Sequence, residues 1–487
     1  MKLATSCCAL LSARLGDWTV FPDSAAYNAS VSSYFSSQAA AARPACIVLA
    51  QNAEHVATAV RILASAPPAQ EDDKQNNCRF AIRSGGHAVD ARASNIEGGV
   101  TLDLRGLSKI DLDLDRSTAL VGVGNTWDAV YTKLDALNLG VNGGRVAGVG
   151  VGGLTLGGGI SYFGTRYGWT ADTVSNFEVV LANGSIVNAN RFRNANLFWA
   201  LKGGGNNFGV VTRIDLDTFQ QGSFWGGLLT HPSNVSAEAI HEFVKMNSAD
   251  SYDPYAALIL SWGYTPTFGS AILSNIEYTK DTTSTPAVFA GFVNLPRYSG
   301  NTSISTSAKR SLEIAQVQQN HYRQIWVTQT FVSTQAALQA TFTRFNQSIA
   351  SVSSIPDIVW SYTLEPLPPA LYARPGADNA LGLEDREQAL VIALFSASWK
   401  NPADDAKAQK ASRDIVAAIE QDLKRLNALD PYVYMNYAAT WQDPIASYGQ
   451  VNVKRLREVA ASVDPHGVFA RQVPGGFKIP RQAHHGA

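Results

Sequence analysis

A chain of 487 residues exceeds what one hydrophobic core usually supports, so two domains are expected, each burying a sizeable interior. Its 40 acidic and 39 basic residues nearly cancel and form no long basic run, which argues against nucleic acid or an anionic membrane surface and leaves a small molecule as the expected partner. No window approaches the roughly eighteen consecutive apolar residues of a membrane-spanning helix, and the apolar run before Arg14 is too short for a convincing signal peptide, so a soluble protein is expected, read here as a monomer.

The four cysteines, Cys7, Cys8, Cys46 and Cys78, match neither a zinc site nor a redox C-x-x-C pair, and no metal site is expected. Cys46 opens the apolar run "CIVLA", helical spacing follows through Val56, Val60 and Leu63, and Cys78 opens "CRFAI". This is a βαβ pattern. If its two strands are neighbours, Cys46 and Cys78 start at the same end of a sheet and lie within bridging distance; two free buried thiols are the alternative. Such a bond closes a loop of about 32 residues, worth roughly 3 to 4 kcal/mol, and points to a secreted protein. Asn-x-Ser/Thr acceptors at Asn28, Asn183, Asn234, Asn301 and Asn346 point the same way. Between helix and second strand, the polar "AQEDDKQNN" reads as an exposed loop.

The second strand runs directly into Arg83-Ser84-Gly85-Gly86-His87. Backbone amides in such a turn form an anion-binding nest, and glycine is required because a side chain would block the approach of a diphosphate. Short alternating runs follow ("VTLDL", "KIDLDL", "TALVGVG"), then "TWDAVYTKLDAL" has helical spacing with Thr126 as N-cap. From Gly140 to Gly168 the chain is glycine-dense and almost uncharged, with interleaved Val, Leu, Ile and Phe, the composition of a buried, closely approached backbone and not of a linker. Gly148 to Gly153 satisfies G-x-G-x-x-G with Asp172 downstream, but no convincing strand precedes it and further glycines oppose a following helix, so a Rossmann site is set aside. A third glycine cluster, "ALKGGGNNFGVVTRIDL", follows "FEVVLANGSIV". Three clusters imply one long ligand lying against main chain, and a flavin dinucleotide is long enough.

The first domain is placed at residues 1–218, completed by 431–487. Residues 219–430 alternate aromatic-rich strands with helical segments (Ala237 to Met246, Asp404 to Leu426) and suggest an antiparallel sheet backed by helices. Trp262, Trp326 and Trp360 in this part are read as core packing in preference to substrate stacking.

Taken in order, "RSGGH", "VGVGGLTLGGGISYFGTRYGWTADTV", "LANGSIV", "NLFWALKGGGNNFGVVT", "YMNY" and "DPHGVF" with "PGGFK" resemble the berberine bridge enzyme-like branch of the vanillyl-alcohol oxidase, or PCMH-type, flavoproteins. The resemblance implies an α+β, two-domain PCMH-type FAD-binding fold with an antiparallel-sheet-plus-helices substrate domain. It implies FAD bound by Arg83, Ser84, Gly85, Gly86, His87 and Ala88 in the first segment. Val149, Gly150, Gly153, Leu154, Gly158, Gly159 and Ser161 follow in the second, then Gly209 and Val210, and finally Asn436. His87 is the implied attachment point to the 8α-methyl carbon of FAD. Many members add a cysteinyl bond, but Val146 stands at that position here, so no cysteinyl link is expected. Val149 falls at the family's oxygen gate, as in oxidases that pass electrons to dioxygen and release hydrogen peroxide. Leu154 occupies a position often held by histidine.

Oxidising an alcohol needs a base within hydrogen-bonding distance of the hydroxyl. By the resemblance Tyr437 and Tyr434 line the substrate site, Tyr437 being the candidate base with Glu365 as acidic partner; a phenolate needs a cation or the flavin environment to favour it. The strand "LVIALFSASW" lacks the carboxylate or amide that plant members carry there. The rival readings are an oxidative cyclase or two-electron oxidase of secondary metabolism, and a non-redox flavin scaffold.

Overall fold

The computed structural model describes residues 2–65, 78–248, 252–374 and 376–480. The polar insert "AQEDDKQNN" lies outside the described residues.

The first part of the chain builds two sheets. A four-stranded sheet runs in the order Thr19–Val20, Cys46–Leu49, Val100–Asp103, Phe80–Arg83, and its last three strands are parallel. The strands Cys46–Leu49 and Phe80–Arg83 are joined by helix Ala53–Ala64, whose N-cap Asn52 accepts from the His55 amide at 2.8 Å. They are not neighbours, however, because Val100–Asp103 inserts between them. Two inter-strand spacings amount to roughly 9.6 Å, beyond disulfide reach. The expected Cys46–Cys78 bond is therefore corrected: helix Lys2–Leu15 supplies a partner to each strand, Cys7 to Cys78 (Cα–Cα 5.8 Å) and Cys8 to Cys46 (5.9 Å).

The second sheet is antiparallel, in the order Ile110–Leu112, Thr118–Gly122, Val210–Gln220, Val174–Val180, Ile186–Ala189, with Leu139–Val141 pairing the far end of Val210–Gln220. Thr126 occupies the N-cap position of helix Trp127–Asp135, but its side chain makes no capping bond. The glycines after Gly150 do not prevent a helix, another correction: Val151–Leu156 forms one turn and a half and stops at Gly157. Its short length keeps the glycine cost small.

From Phe224 onward the chain forms an eight-stranded antiparallel sheet in the order Ser303–Ser305, Phe224–Pro232, Gly269–Tyr278, Ala256–Thr265, Val359–Leu367, Leu390–Trp399, Arg323–Val332, Leu429–Asp430. We propose the passage out of Val210–Gln220 and the end of Leu429–Asp430 as the domain limits. Helices Ser236–Met246, Gln335–Val352 and Asp405–Arg425 cover one face, and the period of two decides what lies there. Trp360, Tyr362 and Leu364 pack into that core with Ala393, Phe395 and Trp262. Ser361, Thr363 and Glu365 belong to the opposite face, turned toward the first domain. Trp262 and Trp360 are fully buried, with indole N–H groups donating to Thr341 (3.3 Å) and Ser348 (2.9 Å), as the core-packing expectation required. Trp326 departs from it and lines a cavity between the two halves.

Helix Ser307–Ala315 joins the halves: the Ala147 amide donates to the Ser311 carbonyl (3.0 Å) and the Ala308 amide to Asp135 (2.9 Å). No described helix is long and apolar enough to cross a membrane, and the described residues contain no cluster of metal-ligating side chains. All five sequon asparagines are exposed.

Each disulfide alone closes a long loop, with separations of 71 and 38 residues, worth roughly 4 kcal/mol on chain-entropy arithmetic. Non-reducing peptide mapping should find the peptide carrying Cys7 and Cys8 joined to both the Cys46 and Cys78 peptides, and the double variant Cys7→Ser/Cys8→Ser should unfold at a lower temperature. A direct Cys46–Cys78 crosslink would contradict the arrangement.

Candidate active site

Strand Phe80–Arg83 delivers the glycine turn to a cavity of about 790 Å³, within the usual range for small-molecule sites. Ser84, Gly85, Gly86, His87 and Ala88 all line it. Arg83 does not: its fully buried guanidinium donates to the carbonyls of Ser30 (2.7 Å) and Ser33 (3.1 Å) and stacks on Tyr34 at 3.7 Å. Arg83 thus anchors the turn from behind and does not face the cavity. The turn needs its glycines for two reasons. Gly86 sits at φ 75°, and a Cβ on Gly85 would lie 2.6 Å from the Gly150 Cα.

That contact brings the second glycine segment alongside. Ser84 Oγ donates to the Val123 carbonyl (2.6 Å) and accepts from the Gly152 amide (3.2 Å), tying turn and helix together. Val146, Val149, Gly150, Gly153 and Leu154 line the cavity, and a Cβ on Gly153 would meet only open space. Gly158, Gly159 and Ser161 fall outside the lining. The two glycines, at φ 101° and 86°, turn the chain under Leu381 and Thr170, and Ser161 Oγ accepts from the Phe163 amide (3.2 Å). Gly209 and Val210 line the cavity, as does Asn436, whose amide donates to the Leu154 carbonyl (3.0 Å) and the Tyr434 hydroxyl (2.9 Å).

The His87 ring stacks on Phe35 (centroids 4.0 Å) with Trp326 at 6.2 Å. Burial pushes its pKa down to about 4, outweighing the opposing pull of acceptors on Gln318 and the Gly148 backbone, so the imidazole is neutral at ordinary pH. Its Nε2 is buried with no hydrogen-bond partner among the described residues. A neutral ring with an unpaired nitrogen, beside a glycine-walled cavity, fits a flavin dinucleotide.

The substrate sheet contributes the other wall. Tyr437, in the turn Met435–Tyr437, donates its hydroxyl to Glu365 Oε1 at 2.9 Å. One Arg145 nitrogen donates to that same oxygen (2.6 Å) and to the Tyr437 hydroxyl (3.0 Å). Arg145 and Glu365 are both more than nine-tenths buried. Burial alone would lower the Arg145 pKa, but the charge of Glu365 and the neighbouring Tyr437 outweigh it and hold the guanidinium above its ordinary value. Burial first, then the Glu365 charge, raise the Tyr437 hydroxyl well above its free value, and Arg145 only partly opposes them. Burial and the Glu365 charge thus favour the phenol over the phenolate, and its proton points at a carboxylate. Tyr434 packs edge-on to Tyr437 (4.9 Å) and is likewise raised by burial. Glu365 does not line the cavity and reaches it only through Tyr437 and Arg145, which do.

Arg145 is the functional residue that sequence reasoning passed over. Its signal was a lone charge, with Arg166, in an otherwise uncharged glycine-dense stretch. Phe35 and Trp326 were missed as neighbours of His87.

A family model for an FAD binding domain matches residues 44–190. The chain is 35% identical over 491 residues to FAD-dependent monooxygenase tpcD of Cochliobolus heterostrophus, covering 96% of this chain and 92% of that protein. It is 41% identical over 474 residues to oligopeptidase PhomG' of Diaporthe leptostromiformis, covering 96% of this chain but only 37% of that longer relative. Among solved structures it resembles 6-hydroxy-D-nicotine oxidase from Arthrobacter nicotinovorans (TM-score 0.78, 20% identity, 95% and 98% of the two chains). It also resembles glucooligosaccharide oxidase from Acremonium strictum, described with a 6-S-cysteinyl, 8α-N1-histidyl FAD (TM-score 0.76, 19% identity, 98% and 100%). The chain belongs to the family of FAD-dependent oxidoreductases that tpcD represents, and its fold is that of PCMH-type FAD oxidases. It is an oxidoreductase whose cofactor is FAD.

Removing one member of a buried ion pair strands the other charge, at a cost of about 3 to 5 kcal/mol, whereas replacing both by apolar residues costs far less. Arg145→Met should therefore destabilise the protein strongly in chemical denaturation, and Arg145→Met/Glu365→Leu should recover most of the loss. A double variant destabilised by the sum of the Arg145→Met and Glu365→Leu losses would show that the pair is not coupled.

Proposed function

We propose that the enzyme oxidises an alcohol carbon of a secondary metabolite, with FAD carried covalently on His87 and dioxygen as the electron acceptor. Bound FAD supplies a two-electron acceptor for the hydride of the carbinol carbon and is reoxidised by dioxygen to hydrogen peroxide. The observation that carries this reading is the Tyr437–Glu365–Arg145 constellation at the wall of the cavity that His87 also lines.

A substrate hydroxyl at Tyr437 delivers its proton to the phenolic oxygen as the tyrosine's own proton passes to Glu365. The receiving atom is Glu365 Oε1, which the Tyr437 hydroxyl already faces at 2.9 Å. Arg145 stays charged throughout and holds both oxygens in place. Leu394, Ile325, Trp326 and Val146 give the cavity apolar walls, which suit an aromatic or polyene alcohol better than a sugar. Val146 at the position of the family's cysteine supports a single covalent bond, through His87. Four cysteines paired in two disulfides, with exposed sequons, support a secretory-pathway location.

The name of the relative tpcD favours a second reading, transfer of one atom of dioxygen to the substrate. Turnover under isotopically heavy dioxygen separates the two: the oxidase reading expects peroxide equimolar with product and no label in the product. Tyr437→Phe and Glu365→Gln should each lower kcat by about a hundredfold or more while the flavin absorbance stays unchanged. A full-rate Tyr437→Phe enzyme would eliminate Tyr437 as the proton acceptor.

A further inference from the structure

Helix Asp405–Arg425 buries Ala408, Ala411, Ile415 and Ile419 against the substrate sheet. Two of its other residues, Gln409 and Arg413, line the active-site cavity. They stand four apart, so one helical turn sets them on the same stripe. The Arg413 guanidinium carbon lies over the indole of Trp441, 3.6 Å from the ring centroid. Trp441 also lines the cavity and is 40% exposed.

This platform is held rigidly. The Gln442 side chain accepts from the Thr328 amide (3.1 Å) and the Ala439 amide (3.0 Å) and donates to the Thr328 carbonyl (2.7 Å). The loop carrying Trp441 is therefore clamped to strand Arg323–Val332, which carries Trp326. The Arg413 charge is uncommitted. Asp414, next to it in sequence, pairs with Lys410 (2.6 Å), Asp443, two residues after Trp441, accepts from the Ala446 amide (3.0 Å), and no described carboxylate reaches ion-pair distance of Arg413. Arg145, by contrast, is already ion-paired with Glu365 at 2.6 Å.

A guanidinium stacked on an aromatic face keeps its N–H edge free, and that edge matches a planar anion in two parallel bonds. Resting on the oxidase reading of the same cavity, we propose that Arg413 on Trp441 recognises a planar anionic group of the substrate, a carboxylate or acidic enol conjugated to its unsaturated body. The hydroxyl to be oxidised then lies toward Tyr437, and the apolar walls hold the body between them.

The test uses the flavin-loaded full chain and two probes of one shape, trans-cinnamate and trans-cinnamamide, with binding read by titration calorimetry and by the shift of the flavin spectrum. Cinnamate should bind about tenfold or more tightly than the amide, the strength expected of hydrogen bonds to a charged group. Arg413→Gln should abolish that preference, Arg413→Lys should keep part of it, and added salt should weaken only the cinnamate complex. Equal affinities in the wild type, a preference that survives Arg413→Gln, or binding of neither probe would overturn the proposal. Any of these in a yellow protein that oxidises alcohols refutes the Arg413 site alone; a colourless protein would refute the oxidase reading beneath it.

Discussion

Two glycine backbones touch at the floor of this enzyme's cavity, and the site is organised around that contact. A Cβ on Gly150 would lie 2.4 Å from the Gly85 nitrogen, and one on Gly85 would lie just as impossibly close to the Gly150 Cα. No side chain fits on either residue without parting the two segments. The turn that presents His87 and the short helix that carries Gly153 and Leu154 are thereby locked edge to edge, with Ser84 bonding across the joint. Arg83 contributes from the rear by pinning the turn to Ser30 and Ser33. The FAD-binding half is thus a rigid cradle made from main chain.

The substrate half meets this cradle with one face of a sheet whose other face is sealed by helices. Side-chain parity along Val359–Leu367, Leu390–Trp399 and Arg323–Val332 assigns core residues and cavity-side residues in alternation, so Glu365, Leu394 and Trp326 follow from the same pleat that buries Trp360 and Phe395. Arg145 crosses from the cradle to this face, and the Arg145–Glu365 pair joins residues 220 apart in sequence. A charge pair this deeply buried is costly to desolvate and contributes little net stability.

Much of this was legible in the sequence. Glycines required for close approach leave a compositional mark, so the three clusters and the His87 turn stood out. Alternating aromatic strands announced the substrate sheet. What escaped is non-local. The disulfides depend on a strand, Val100–Asp103, inserting between two others, and no local pattern reports strand order. Gly158, Gly159 and Ser161 sit in the expected segment, but the turn directs them away from the cavity. Trp326 shares its period of two with its neighbours, and sequence alone does not say which of the two faces the helices cover. The Tyr437 proton lies on the phenol because burial and a carboxylate together outweigh one guanidinium, a balance set only by folding.

The most direct test of the central claim is a mass map of the tryptic peptide Ser84–Arg92, the segment that the glycine contact holds at the cavity. In protein purified with its yellow chromophore, this peptide should carry the added mass of the flavin on His87. An unmodified Ser84–Arg92 peptide from yellow protein, or flavin that separates freely once the chain is denatured, would contradict the account.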